Sequence, residues 1–322
     1  MTRYSISQPV TQVEAPRLVS GKGRFTDDIT LPQMAHGVFL RSPHAHADIV
    51  SIDTSAASAM PGVIAILTGA DYEADGLGVV RGVSPLKRRD GSPMYRPPRP
   101  ALISDRVRHV GQGVALVIAE TINQGKDATE AIEVDYSPLP AHFSTAEANQ
   151  GGVPQLYDDC LNNEPVHVNH GDADAVDAAL AAAPHVLRET FVVNRVAGCT
   201  MEPRSVVGEY DEGRDHYTIH ACHQRPYIWR QMMCDHVFHI PENKMTIIAG
   251  DVGGSYGMKG GLYPEVPLTA WAAKKTGRPV KWTCERSEAL ICDDQARDMH
   301  VEVALALEDD GTFTGVRLTS NN

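Results

Sequence analysis

The chain has 322 residues, which suits two domains of about 150 residues each. Its 42% apolar and 22% charged residues are those of a globular protein and exclude collagenous, low-complexity and wholly disordered chains. With 29 Lys+Arg against 41 Asp+Glu the net charge is −12, which argues against a nucleic-acid partner, whose phosphates call for a basic footprint.

The longest uncharged apolar run, residues 110–119, is far shorter than the ~20 residues of a membrane-spanning helix, so no membrane partner is expected. The first residues, Met1-Thr2-Arg3-Tyr4-Ser5-Ile6-Ser7-Gln8-Pro9, have no apolar h-region and no twin arginine, and the expected location is the cytoplasm. Six cysteines, at 160, 199, 222, 234, 284 and 292, are too sparse for a disulfide scaffold and read as reduced thiols. No C-x-x-C and no C-x4-C-x2-C occurs, so the usual iron–sulfur spacings are missing.

In chain order, residues 1–17 read as a polar arm. Alternation predicts strands at 37–42 and 47–53, then a helical turn at 55–59 stopped by Pro61-Gly62, and a buried strand at 63–68. Residues 75–100, rich in Gly, Pro and Arg, form a long loop of the kind that carries function or moves. A strand at 110–120, a helix at 121–132 weakened by Gly125, and a strand at 132–136 close an α+β unit. After a polar connector at 141–171 comes an Ala-rich helix at 172–183 with Asp172 as N-cap and Pro184 as stop. Strands are expected at 186–194, 205–210, 216–221 and 244–249, with a helix at 227–238 opened by Pro226. A helix at 266–275 ending at Gly277, a strand at 279–284 and a hairpin of 299–307 with 312–319 complete the chain. The fold class is α+β.

Four motifs could carry chemistry. Gly250-Asp251-Val252-Gly253-Gly254-Ser255-Tyr256-Gly257-Met258-Lys259-Gly260-Gly261 follows a strand directly and precedes a helix. Glycines there allow positive φ and close backbone approach, and successive N–H groups can converge on an anion or oxo group. The run fits neither G-x-G-x-x-G nor the P-loop, so it reads either as a ligand loop or as an ordinary turn. His220, Cys222, Cys234, His236 and His239 crowd together without the spacing of any zinc finger, and packing is the default for them. Gln224, between a strand and a Pro-started helix, could aim its carboxamide into a cleft, but on pattern alone reads as a turn residue. Within Cys199-Thr200-Met201-Glu202-Pro203-Arg204, Glu202 and Arg204 suit either anion binding or, preferentially, a structural pair with each other; Cys199 has no adjacent base. His44 and His46, two apart in an extended segment, are two ligands short of a zinc site and read as packing residues.

Residues 37–47 and 107–119 resemble the a/b hammerhead domain of the xanthine dehydrogenase/aldehyde oxidase family. Met201-Glu202-Pro203-Arg204 and the run 251–259 resemble motifs of that family's molybdopterin-binding domain, especially in carbon-monoxide-dehydrogenase-like large subunits. The resemblance runs from about residue 18 to the end, in the family's order. It implies a hammerhead domain at 18–140, the connector at 141–171, and the first, incomplete part of a molybdopterin-binding α+β domain at 172–322.

The resemblance also implies site residues. Gln224 matches the glutamine that hydrogen-bonds the apical oxo ligand of molybdenum, although His223 precedes it where Thr is usual. Gly253, Gly254, Ser255, Tyr256 and Gly257 match the Gly-Gly-Gly-Phe-Gly run that approaches the cofactor; Ser255 and Tyr256 depart from it, Tyr256 adding a hydroxyl. Gly260 stands where xanthine-converting relatives carry a glutamate, which disfavours a purine. No residue is a direct metal ligand. The family's catalytic glutamate has no counterpart and is expected outside this chain, on a C-terminal portion or a second chain.

The implied activity is that of a molybdenum hydroxylase subunit, putting water-derived oxygen on an aldehyde or N-heterocycle within a hetero-oligomer. The implied cofactor is molybdopterin, in a dinucleotide form, with molybdenum; iron–sulfur and FAD subunits are the expected partners. The chain alone is expected to be inactive and poorly stable. The alternative is a non-catalytic scaffold subunit that only lines the cofactor cleft of a split enzyme.

Overall fold

A computed structural model describes residues 11–82, 85–88 and 90–321. The arm before residue 11 and Arg89 of the long loop lie outside these. The architecture is α+β and centres on one seven-stranded sheet. Its order is Met245–Ile248, His216–Ala221, Ser205–Asp211, Val280–Thr283, Ala35–Arg41, Gly113–Ala119 and Val63–Thr68. Sequence-distant halves meet at its middle, where Ala35 pairs in parallel with Val280 and His36 with Lys281. The remaining joins are antiparallel, except that His216–Ala221 runs parallel to Met245–Ile248.

The strand Gly113–Ala119 is a β-branched and aliphatic run buried on both faces, as a central strand covered by helices must be. Helix Glu265–Thr276 lies on the sheet through Val266, Leu268, Ala270, Trp271, Ala272 and Ala273, and ends at Gly277 in the left-handed conformation, φ 65°. Helix Ile122–Glu130 sits on the strand Ala35–Arg41. Gly125 explains how: a Cβ there would fall 2.6 Å from Val38 Cγ2, so the residue that weakens the helix is the one that lets it dock.

A second, three-stranded sheet joins Arg106–Val107, Ala47–Asp53 and Glu133–Pro138. A third joins Phe313–Asn321, Met299–Leu307 and His185–Val193. Helix Ala173–Ala182 covers one face of that third sheet through Leu180, Ala304 and Ala306. Its Asp172 cap is as expected, Oδ1 accepting from the Ala175 amide at 3.0 Å. The opposite face carries Leu187, Phe191, Val303, Leu305, Val316 and Leu318. Of these Leu187, Phe191, Val316 and Leu318 are 53%, 54%, 53% and 62% exposed.

Some expected elements shift. The helix expected at 227–238 is an α-helix, Pro226–Met232, continued by a π-turn, Met233–Phe238, that ends at His239 with φ 53°. Helices Ala15–Val19, Gly69–Ala74 and Arg286–Cys292 appear where none was expected, the first inside the predicted arm. No helix of the described residues is long and apolar enough to cross a membrane.

Candidate functional site

Because strands His216–Ala221 and Met245–Ile248 run parallel, the loops after them open at the same end of the sheet. Ligands of open α/β sheets gather beyond such carboxyl ends. Gln224 leaves the first strand and the glycine run leaves the second, and the two meet. The Gln224 amide donates to the Lys259 carbonyl at 3.2 Å. Its Oε1 lies 3.3 Å from where a Gly260 Cβ would stand. Trp229 Nε1 donates to the Gly260 carbonyl at 3.2 Å and fixes the other side of the turn.

Under the loop lies a buried ion pair. Lys259 is fully buried and donates from Nζ to Glu202 Oε2 at 2.8 Å. The same oxygen accepts the Gly253 amide at 2.7 Å, while the Glu202 amide donates to the Gly253 carbonyl at 3.1 Å. A Cβ on Gly253 would sit 2.5 Å from Glu202 Cβ, so only glycine permits this approach. Glu202 Oε1 is buried without a partner among the described residues. Ser255 Oγ accepts the Lys259 amide at 3.2 Å.

Above that pair the chain turns through Gly254 (φ 100°), Tyr256 (φ 53°) and Gly257 (φ 92°). The amides of Gly254, Ser255, Tyr256 and Gly257 find no acceptor among the described residues. Four consecutive free donors around left-handed residues are the elements from which anion- and oxo-binding turns are built. The Tyr256 side chain stands out of the loop, 83% exposed. Gln224 is exposed as well. These residues therefore fit a group rich in phosphate and oxo acceptors.

A second network supports the floor. Glu265 accepts from Arg204 at 2.7 Å and from Arg41 at 2.8 Å, with Glu265 and Arg204 buried and Arg41 half-buried. Arg204 also holds Asp293, and its guanidinium lies 3.7 Å from the centroid of the Tyr263 ring. Arg41 also holds Glu288 at 2.6 Å. Burial pushes the Glu265 carboxyl upward, but Arg204 and Arg41 overcome it and hold it at about 2.

The expected pairing of Glu202 with Arg204 does not form. Pro203 sends the two side chains to different partners, Glu202 to Lys259 and Arg204 to Glu265. His220 reaches Glu209 at 3.3 Å and belongs to no metal-ligand group, nor do Cys222, Cys234, His236 and His239; among the described residues only Cys284, Glu288 and Cys292 do. His44 packs on Tyr136 at 4.8 Å, and His46 Nδ1 meets the Pro140 carbonyl at 2.9 Å, as packing residues do. Exposed Cys199 takes φ 40°. His223, beside Gln224, is 3% exposed, stacks on Trp229 at 4.6 Å and has neither ring nitrogen partnered among the described residues. Burial lowers its pKa to about 4. Sequence reasoning missed Lys259 and Glu265, whose partners lie 57 and 61 residues away.

Residues 20–140 match the model of the aldehyde oxidase and xanthine dehydrogenase a/b hammerhead domain. Residues 156–322 match that of the molybdopterin cofactor-binding domain. The 6-hydroxypseudooxynicotine dehydrogenase complex subunit gamma of Paenarthrobacter nicotinovorans is 34% identical over 316 residues, 97% of this chain and 38% of its own length. The carbon monoxide dehydrogenase large chain of Afipia carboxidovorans is 34% identical over 318 residues, 95% of this chain and 38% of its own. Quinoline 2-oxidoreductase from Pseudomonas putida 86 superposes with a TM-score of 0.88 at 31% identity, covering 99% of this chain and 39% of that one. The chain thus spans about two fifths of these relatives. It belongs to the xanthine dehydrogenase/aldehyde oxidase family and carries the hammerhead and molybdopterin-binding regions of that family's large subunits.

Proposed function

We propose that this chain forms one wall of the active site of a molybdenum hydroxylase acting on an aldehyde or a non-purine N-heterocycle. The observation that carries the reading is the row of four unpartnered amides at 254–257, in a loop that rests on the Glu202–Lys259 pair and meets Gln224 at Lys259. When bound, molybdopterin with molybdenum supplies the oxidative hydroxylation chemistry. The chain's own residues bind and orient it. The free amides would receive its anionic or oxo oxygens, Gln224 would donate its carboxamide N–H to one of its oxo oxygens, and Gly253 lets the backbone come close. Donors fixed in advance stabilise charge without reorganisation. Tyr256 offers a ring and a hydroxyl to substrate at the mouth of the loop. Gly260 leaves no carboxylate for a purine.

The reading extends to a dinucleotide form of the cofactor, to iron–sulfur and FAD partner subunits that take the electrons, and to a cytoplasmic location. The residues form the domains 18–140 and 172–322 joined by the connector 141–171. The remainder of the molybdopterin-binding region covers the apolar face of Leu187, Phe191, Val316 and Leu318, and it brings the general-base glutamate; the chain alone is inactive.

The test is Gln224→Ala in the assembled enzyme. Turnover with aldehydes and N-heterocycles, read by dye reduction, is expected to fall about 10²–10³-fold at unchanged molybdenum content. Wild-type turnover in that variant overturns the assignment of Gln224. Retention of stoichiometric molybdenum with no turnover in the wild-type assembly favours a scaffold subunit instead.

A further inference from the structure

One cluster of reactive side chains lies apart from the glycine loop. Among the described residues, the sulfurs of Cys284 and Cys292 and a carboxylate oxygen of Glu288 all lie within 4.8 Å of one another. They flank helix Arg286–Cys292: Cys284 precedes its N-cap, Glu288 stands in the first turn and Cys292 closes the last. We propose that Cys284, Cys292 and Glu288 form a binding site for a soft divalent cation of the zinc class. The site is independent of the molybdopterin reading.

The donor set selects the metal. Two sulfurs and one carboxylate suit a borderline-soft ion rather than magnesium or calcium, which take oxygen ligands. Zinc–sulfur bonds of about 2.3 Å span sulfurs a few ångströms apart, as these are. Cys284 is buried, whereas Cys292 and Glu288 are half-buried, so water can complete a tetrahedron from the open side.

The ligands are held in place by outer partners. Arg41 Nε donates to Glu288 Oε1 at 2.6 Å, the Glu285 amide donates to Glu288 Oε2 at 3.2 Å, and Arg204 Nη2 donates to Cys292 Sγ at 3.1 Å. Such contacts orient the ligands. Charge also permits loading. Arg41 and Arg204 face Glu265, Asp293 and Glu288, a net of one negative charge. A dication that displaces two thiol protons to solvent leaves that net unchanged. A bound ion also fixes helix Arg286–Cys292, whose Arg286 donates to the Thr200 carbonyl at 2.5 Å and so steadies the segment that carries Glu202.

The experiment titrates cadmium, then zinc, into the chelator-treated chain kept reduced by a phosphine. One equivalent of cadmium is expected to bind with a thiolate-to-metal charge-transfer band. The band should vanish in Cys284→Ser and Cys292→Ser, weaken about 10-fold or more in Glu288→Gln, and persist in Cys199→Ser. Zinc should also protect Cys292 of the wild-type chain from alkylation, a readout that needs no variant to fold. No uptake, equal uptake by the serine variants, alkylation of Cys292 unchanged by zinc, or a Cys284–Cys292 disulfide in the reduced preparation overturns the proposal.

Discussion

Lys259, with none of its surface exposed, gives its ammonium to Glu202 at 2.8 Å, and Glu202 hands the Gly253 amide its acceptor through the same oxygen. The glycine loop thus rests on a charge pair rather than on apolar packing. Lys259→Met leaves a buried carboxylate unpaired and is expected to cost about 3–5 kcal/mol of stability. Adding Glu202→Gln to it should restore much of the loss, since a buried pair removed whole is cheaper than one left half-made. Denaturant unfolding of the single and double variants measures both.

The loop glycines separate steric from conformational demands. Gly253→Ala drives a Cβ to 2.5 Å from Glu202 Cβ, against side chain and backbone that cannot withdraw. Gly257→Ala meets nothing within 4 Å and pays only for φ 92°, about 1–2 kcal/mol. Cofactor content of the assembled enzyme should therefore drop sharply in Gly253→Ala and far less in Gly257→Ala. Equal loss in the two argues that backbone conformation, not the approach to Glu202, governs the loop.

Glu265 joins Arg41, on a strand of the N-terminal region, to Arg204 after the Met201-Glu202-Pro203 turn. Glu265→Gln removes the charge shared by one buried and one half-buried guanidinium group. Because Asp293 and Glu288 remain on them, the expected loss is near the lower end for a broken buried pair, about 3 kcal/mol. Thermal or denaturant unfolding checks it; a change under 1 kcal/mol would show that the outer carboxylates suffice.

His223 makes stability depend on acid. Burial sets its folded-state pKa at about 4, below the ordinary value of 6.5. Between those values the unfolded chain binds the proton and the folded chain does not, so stability is complete above about pH 6.5 and falls as pH drops toward 4. The full effect is about 3 kcal/mol. His223→Leu, which removes two unpartnered nitrogens, should flatten that part of the pH profile. An unchanged profile in the variant assigns the acid sensitivity elsewhere.

Much of this was readable from the amino-acid pattern. Gly253 to Gly257 stand out because strand, turn and helix signals are local, Gln224 stands out only through the family resemblance, and Asp172 and Gly277 mark helix ends by their own side-chain and backbone chemistry. What was not readable is partnership. Glu202 and Arg204 sit two residues apart, yet the fold sends them to Lys259 and Glu265. Periodicity reports that a strand exists and which face is apolar, but not which strand lies next to it. Helix Arg286–Cys292 escaped notice because glutamate, a poor N-cap signal, stands at position 285, although its box with Glu288 was present in the sequence.

The join between Ala35–Arg41 and Val280–Thr283 has a consequence for how the chain is made. Arg278 also reaches back to the Gln33 carbonyl, 245 residues away. On the ribosome the first strands emerge long before their central neighbour, so an edge of the nascent sheet stays open until residues 280–283 have been made and is a template for wrong pairing. Cutting the 141–171 connector after folding should leave the two pieces associated, whereas stopping translation before residue 280 should yield a product that depends on chaperones to stay in solution.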